Sequence, residues 1–386
     1  MNVVPGAVVF GSCGFRCGAD ATRRGRVVAI SAGAKGETFA PLTGLSSMLM
    51  ATPVTAACSD TTNDNTNETQ SNRRIAGMTW PPDVERMYDF ETKNAEPGFD
   101  VRRYMPRMPV RGEKLRQRLD ALVTTFDVTT IEPDPLQLVL RYEDPRDQEM
   151  AGILAAAFAY GRADIVVANV GRVLDRMTPS PYAYLSAFDP AEGKRRFAGF
   201  THRFHKTPEL VSLLTCVAAA IREHKTLGDL FRRYYDDADD DIGPSLTRFV
   251  DALIGDRRTK ALDYLLTSPA NHSACKRMNL FLRWMVRRTP PDLGIWAFVD
   301  PSKLVMPVDT HVHRIATFLG LNNRKSADWK AARALTDRLA KFDRTDPVRY
   351  DFALCRLGIL DLCSRRRRKE NCDVCLLRDV CRFPVV

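Results

Sequence analysis

Three groups of side chains in this chain of 386 residues have types and spacings suited to chemistry. The first is one carboxylate, Asp309, reached through the apolar lead-in Pro307-Val308 and followed by a short amphipathic pattern. A fixed carboxylate can stabilise a developing positive charge or draw a proton from a nucleophile. The second is an amine. Between residues 261 and 302 the only lysine is Lys276, and a lysine amine can form a Schiff base or simply hold a phosphate or a carboxylate. Lys303 is a weaker candidate for the same role. The third is a set of thiols at the C-terminus, Cys363, Cys372, Cys375 and Cys381, separated by eight, two and five residues. Four thiolates suit a [4Fe–4S] cluster or a structural zinc, and spacing alone does not choose between them. Inside the first gap lies the cationic run Arg365, Arg366, Arg367, Arg368 and Lys369, which can bind phosphates in a salt-dependent way or serve as a nuclear localisation patch.

The elements that must position these groups read as helices. After Asp309, the residues Val312, Ile315, Ala316 and Leu319 fall on one face, and Gly320 closes the pattern as a C-cap. Asp309 is then well placed as the N-cap, accepting N–H bonds from the first turn, and local pattern alone favours that structural role. Leu115, Leu119 and Leu122 recur at helical spacing. Asp134-Pro135 and Asp144-Pro145 open two further helices with proline at the first position. The second of these runs through an Ala-rich stretch to Gly161, where Arg162 heads a loop. The segment Phe200-Thr201-His202-Arg203-Phe204 also reads as helix-like, and no strand pattern persists, so the fold class is all-α. The acidic run 236–241 lacks the Gly and Glu of a calcium loop and reads as solvated. The stretch from Leu265 to Val286 reads as a hairpin of two helices, the second apolar nearly all round and therefore buried.

The string Val308-Asp309-Thr310-His311-Val312, Arg314-Ile315-Ala316 and Leu319-Gly320-Leu321 resembles the aspartate segment of the endonuclease III-like superfamily of DNA glycosylases, the helix-hairpin-helix-Gly/Pro-Asp type. The likeness resumes at Tyr350–Gly358, which leads into the four cysteines. It implies that Asp309 is catalytic, that Lys276 is the amine of a lyase step, and that the four cysteines hold a [4Fe–4S] cluster, with zinc the lesser alternative. The superfamily's first cysteine gap usually has six residues, against eight here. Its hairpin usually carries two glycines whose amides meet a DNA phosphate, and this one has none between Thr267 and Arg277; Asn271, His272 and Ser273 can supply side-chain donors instead. Where the superfamily often has a wedge glutamine, this chain has Gly161-Arg162, so that Arg162 is either the wedge or a capping arginine. An Arg- and Pro-rich insertion, Arg287–Pro291, lengthens the path from Lys276 to Asp309. Over roughly residues 115–383 the chain looks closer still to a mostly bacterial group in that superfamily known only as a domain of unknown function.

From this resemblance we expect a two-lobed helix-hairpin-helix glycosylase-like fold over residues 112–386. Lobe one is 112–145 plus 310–386, lobe two is 146–309, and 363–381 is a C-terminal four-cysteine cluster loop. The expected activity is excision of damaged or mismatched bases from double-stranded DNA, with or without strand cleavage. The alternatives are a non-catalytic nucleic-acid-binding protein on the same scaffold and an RNA-directed relative. Composition agrees with an anionic partner, since the net charge is +10 and a basic surface attracts nucleic acid. No run is long and apolar enough to span a bilayer, and a monomer is expected. Residues 1–111 read as an extension. Their first part is acid-poor and Arg-bearing, as in a mitochondrial transit peptide or a disordered tail, and 59–73 is a polar linker. The expected location is mitochondrial or nuclear.

Overall fold

The computed structural model describes residues 110–366 and 368–383. The expected extension therefore lies outside the described residues, apart from its last two positions, and so does Arg367. Helix covers 58% of the structure and strand 2%, which makes the protein mainly α. Among the described residues no helix is long and apolar enough to cross a membrane.

The first helix, α1 (Val110–Thr125), starts two residues before the expected boundary. Its stripe of Leu115, Leu119 and Leu122 is buried. α2 (Leu136–Val139) is a single turn opened by the Asp134 carboxylate, which accepts from Leu136 N. α3 (Pro145–Ala157) has Asp144 as N-cap and proline in its first turn, as the sequence predicts. From Met150 to Ala157 it is buried on every side, because small side chains let neighbours approach from all directions. A Cβ on Gly152 would meet Met285 Cε at 3.0 Å and Phe281 at 3.2 Å.

α4 (Ala163–Leu174), α5 (Pro181–Ser186) and α6 (Pro190–Arg196) follow. The chain then departs from expectation. Thr201–His202 (β1) and His205–Lys206 (β2) pair antiparallel, with Arg203 in the left-handed region at φ 55°. The helix-like reading of Phe200–Phe204 was therefore wrong. Its apolar residues serve a two-residue ribbon, too short to show an alternating pattern.

α7 (Thr207–His224), α8 (Leu227–Tyr234) and α9 (Gly243–Ile254) pack together. Between the last two, the acidic run is tied down rather than merely solvated. Asp239 pairs with Arg248, Asp241 with Arg333, and Lys303 Nζ donates to the carbonyls of Asp237 and Asp239. Those bonds tie Lys303 to the acidic run. α10 (Lys260–Leu265), a 3-10 turn at Pro269–Asn271, and α11 (Lys276–Val286) come next. They are followed by α12 (Thr310–Leu319), α13 (Trp329–Leu339), α14 (Asp351–Ile359) and the short α15 (Lys369–Asp373). α14 crosses α12 and also packs on α1.

One buried acid organises the interior. Glu149, 5% exposed, lies at the N-terminus of α8. It accepts from Leu227 N at 2.7 Å, Gly228 N at 3.1 Å and Trp296 Nε1 at 2.7 Å. Burial pushes its carboxyl up to about 7 against the pull of those three donors. In the unfolded chain the group loses its proton near 4.5, so between these values the folded state holds the extra proton. Stability therefore falls as pH rises from 4.5 to about 7, by up to about 3 kcal/mol from this group. Urea midpoints at pH 5 and pH 7.5 should show that fall in the wild type and a much smaller one in Glu149→Gln. Equal slopes in the two proteins would contradict the assignment.

Candidate active site and cysteine loop

Asp309 divides its two oxygens. Oδ1 accepts from His311 N and Val312 N, both at 2.8 Å, and so caps α12. Val312, Ile315, Ala316 and Leu319 are buried, and Gly320 ends the helix at φ 74°, as its sequence predicts. Oδ2 lies 3.9 Å from Cys355 Sγ and takes no part in the cap. The residue is half-buried, and capping uses one of its two oxygens.

Lys276, at the first position of α11, is also half-buried, and its Nζ donates to Ala159 O at 3.0 Å, just past the end of α3. A cation suits that end of a helix. Lys276 and Asp309 converge on the same two neighbours. Burial pushes the Cys355 thiol well above its usual range; Asp309 and Asp351 add to this and Lys276 opposes it. Burial holds His311 below the usual imidazole range, with Asp309 opposing and Arg314, Lys276 and Arg365 adding. The site thus presents a carboxylate, an ammonium, a neutral imidazole and a protonated thiol. His311 fits because Gly358 leaves room for it where α14 crosses α12, and any Cβ there would collide with the ring.

Behind the site lies an ionic lattice that the sequence does not advertise. Arg283 on α11 pairs with Asp292 and with Asp351 on α14, and Arg287 pairs with Asp292 and Asp346. The side chains of Arg283 and Asp292 are 2% and 0% exposed. Burial pushes Asp351 up to about 6, with Arg283 pulling it down and Asp309 pushing it further up. The lattice locks the helix carrying Lys276 to the helix carrying Cys355. Arg287, which opens the Arg287–Pro291 stretch, is thereby a buried structural cation.

Cys363, Cys372, Cys375 and Cys381 are all half-buried, and none forms a disulfide. They lie within electrostatic reach of one another. Burial pushes Cys363 up to about 11, Arg314 opposing and the other three thiols adding. Phe383 N–H donates to Cys381 Sγ at 3.4 Å, and the Leu377 amide donates to Cys375. Four unpaired thiols with amides aimed at sulfur fit a thiolate centre in donor chemistry. As placed, they do not close on one point, since among the described residues no group of three or more His, Cys, Asp or Glu side chains is arranged to hold an ion. The loop itself is clamped to α12. Arg314 donates to Cys363 O at 2.6 Å, Arg382 N to Phe318 O at 2.7 Å, and the rings of Phe318 and Phe383 meet at 4.2 Å.

The family described as Protein of unknown function (DUF2400) matches residues 134–360. The chain belongs to this family. No curated protein and no solved structure matches it. The DUF2400 segment contains Lys276, Asp309, Asp351 and Cys355, together with the ionic lattice, and it ends before the cysteine loop.

The remaining sequence candidates are spread around this DUF2400 core. Arg162 is the N-cap residue of α4, four-fifths exposed and paired with Asp164 at 2.7 Å. Asn271 and His272 are exposed in the turn before α11, and the half-buried Ser273 hydroxyl accepts from Cys275 N, which leaves its own O–H to donate. His272 and Cys275 take φ values of 56° and 49° in that turn, a backbone region that glycine enters at less cost. Arg365, Arg366, Arg368 and Lys369 are exposed, with Arg368 paired to Asp361. Arg365 comes near enough to His311 to act on it. Sequence reading gave Cys355, His311 and Asp351 no role at the site. The signal available was their place inside the two motifs that precede the cysteine loop.

Proposed function

We propose that this protein excises bases from DNA, with Asp309 as the carboxylate that does the work. The observation that supports this most is the division of labour at Asp309, where one oxygen is fixed by two amides and the other takes no part in the cap and meets only the weak donor Cys355 Sγ. A carboxylate held rigidly in this way can stabilise the positive charge that builds on a deoxyribose as its bond to the base breaks. The bonding pair leaves with the base, water adds to the sugar carbon, and Asp309 takes the proton from that water. His311, neutral, and Cys355, protonated, add no second negative charge at the reacting centre. The helix pair α10 and α11 would form the helix-hairpin-helix, and the two-lobed arrangement belongs to the same reading. Lys276 can serve as a lyase amine only by giving up its bond to Ala159 O and its proton. That bond favours excision without strand cleavage, whereas the hairpin without glycines and the missing wedge glutamine favour a rival reading, in which the protein binds nucleic acid without catalysis.

The test is single-turnover cleavage of duplexes carrying a panel of damaged bases and an abasic site, with borohydride added to trap any Schiff base. Release of a base without a trapped adduct is expected if Lys276 keeps its structural bond. A trapped adduct that disappears in Lys276→Ala would assign the lyase step to that amine. No base release from any duplex, with salt-sensitive binding intact, would replace this proposal by the rival.

The four cysteines would hold a [4Fe–4S] cluster or a zinc ion, which when bound supplies a structural clasp for residues 363–381. Arg365 to Lys369 would then meet DNA phosphates from a loop of defined shape. Protein purified without oxygen should show a broad absorbance near 400 nm and bound iron, both lost in Cys375→Ser. Stoichiometric zinc without that absorbance would assign the site to zinc, and neither metal would remove the proposal.

A further inference from the structure

The ribbon β1–β2 carries Phe204 beside its tip, where the ring is 57% exposed. Tyr264 on α10 is also exposed, and the two rings meet edge to face at 5.0 Å. Tyr160 lies against both, stacked on Phe204 at 5.7 Å and edge-on to Tyr264 at 5.3 Å. Single exposed apolar residues need no explanation, but neighbouring ones mark a surface made for contact. Beneath the rings lies Arg277, 8% exposed, with its guanidinium 4.2 Å from the centre of the Tyr264 ring and 5.3 Å from that of Tyr160. It donates one bond, to Tyr264 O, and its Nη1 has no partner. Among the described residues it has no carboxylate within ion-pair distance. A buried guanidinium nitrogen without an acceptor calls for one from outside. Arg203 and Lys206 are exposed on the same ribbon, and Arg203 rests against Gly161. The nearby acids are engaged: Asp164 pairs with Arg162, and Glu209 accepts from Lys206 N.

We propose that Phe204 and Tyr264 form a stacking platform for an unpaired DNA base, with Arg277 supplying a hydrogen bond to that nucleotide. This rests on the reading of the protein as a DNA-acting one and extends it to a second contact surface. A paired base in a duplex has both faces covered, so only an unpaired one can lie on an exposed ring. Aromatic platforms flanked by cations are how proteins hold such bases. The platform adjoins the proposed site, since Arg277 follows Lys276 in the chain and Tyr160 follows Ala159, whose carbonyl Lys276 holds.

The full-length protein is titrated with a duplex bearing one bulged 2-aminopurine and with the fully paired duplex. Wild type should bind the bulged duplex more tightly and quench its fluorescence. Phe204→Ala should weaken that binding about tenfold, abolish the quench and leave the paired duplex unaffected, while Phe204→Trp keeps both. Phe204 is exposed, so these variants should melt with the wild type. Equal binding and equal quenching by Phe204→Ala and wild type would overturn the platform and leave the excision proposal standing. Loss of bulge preference in Phe204→Ala together with full cleavage by Asp309→Asn would uphold the platform and remove the role given to Asp309. A wild type that binds neither duplex would overturn both.

Discussion

Asp309→Asn should lower the single-turnover rate of base release about 10²–10⁴-fold while leaving the fold intact. The loss is of the size expected when a charge-stabilising or proton-accepting group is removed from a reacting centre. The fold should survive because asparagine caps a helix about as well as aspartate, and its side-chain oxygen can take over the two bonds from His311 N and Val312 N. Asp309→Ala should lose the same activity and in addition about 1 kcal/mol of stability with the cap. Comparing the two by cleavage and by thermal melting separates the oxygen that holds the helix from the oxygen that faces Cys355. If Asp309→Asn cleaves at the wild-type rate, the carboxylate is only a cap.

The largest effect on stability should come from Asp292→Ala. Its carboxylate, with no exposed surface, accepts from Arg283 Nε at 3.1 Å and from Arg287. Removing it leaves two buried guanidinium groups facing each other with one anion fewer between them. Breaking a buried pair in this way costs about 3–5 kcal/mol, a large share of the 5–15 kcal/mol typical of a domain. Replacing Arg283 and Asp292 together by Met and Leu should recover part of the loss, because the orphaned charge goes with its partner. Urea denaturation of the three proteins gives the comparison. A loss below about 1 kcal/mol in Asp292→Ala would mean that water reaches the lattice and screens it.

Helices with local signals were legible in the sequence. α12 carries its N-cap, its buried face and its closing glycine within a dozen residues, and α3 its Asp-Pro start and Ala-rich interior. What was hidden depends on partners far along the chain. Arg283 bonds Asp351 across 68 residues and Arg287 bonds Asp346 across 59, so no local pattern separates them from surface cations. Lys303 is tied to carbonyls more than 60 residues earlier, which no local pattern announces. The β1–β2 ribbon is too short for periodicity. Of the site, Asp309 and Lys276 could be named from motif position. Cys355 and His311 lie in the same motifs, but what brings them together is the crossing of α12 and α14 at Gly358.

The contacts of α1 bear on how the chain is made. Asp120 takes its bond from Tyr350, 230 residues later, and Lys114 and Arg118 reach Asp379, 3.0 and 2.9 Å away. During synthesis this helix leaves the ribosome well over two hundred residues ahead of Tyr350 and Asp379. Its polar partners therefore arrive only when the chain is nearly complete. A copy cut short before Tyr350 would hold none of these three long-range bonds, so α1 of an unfinished chain lacks the ties that the finished one has.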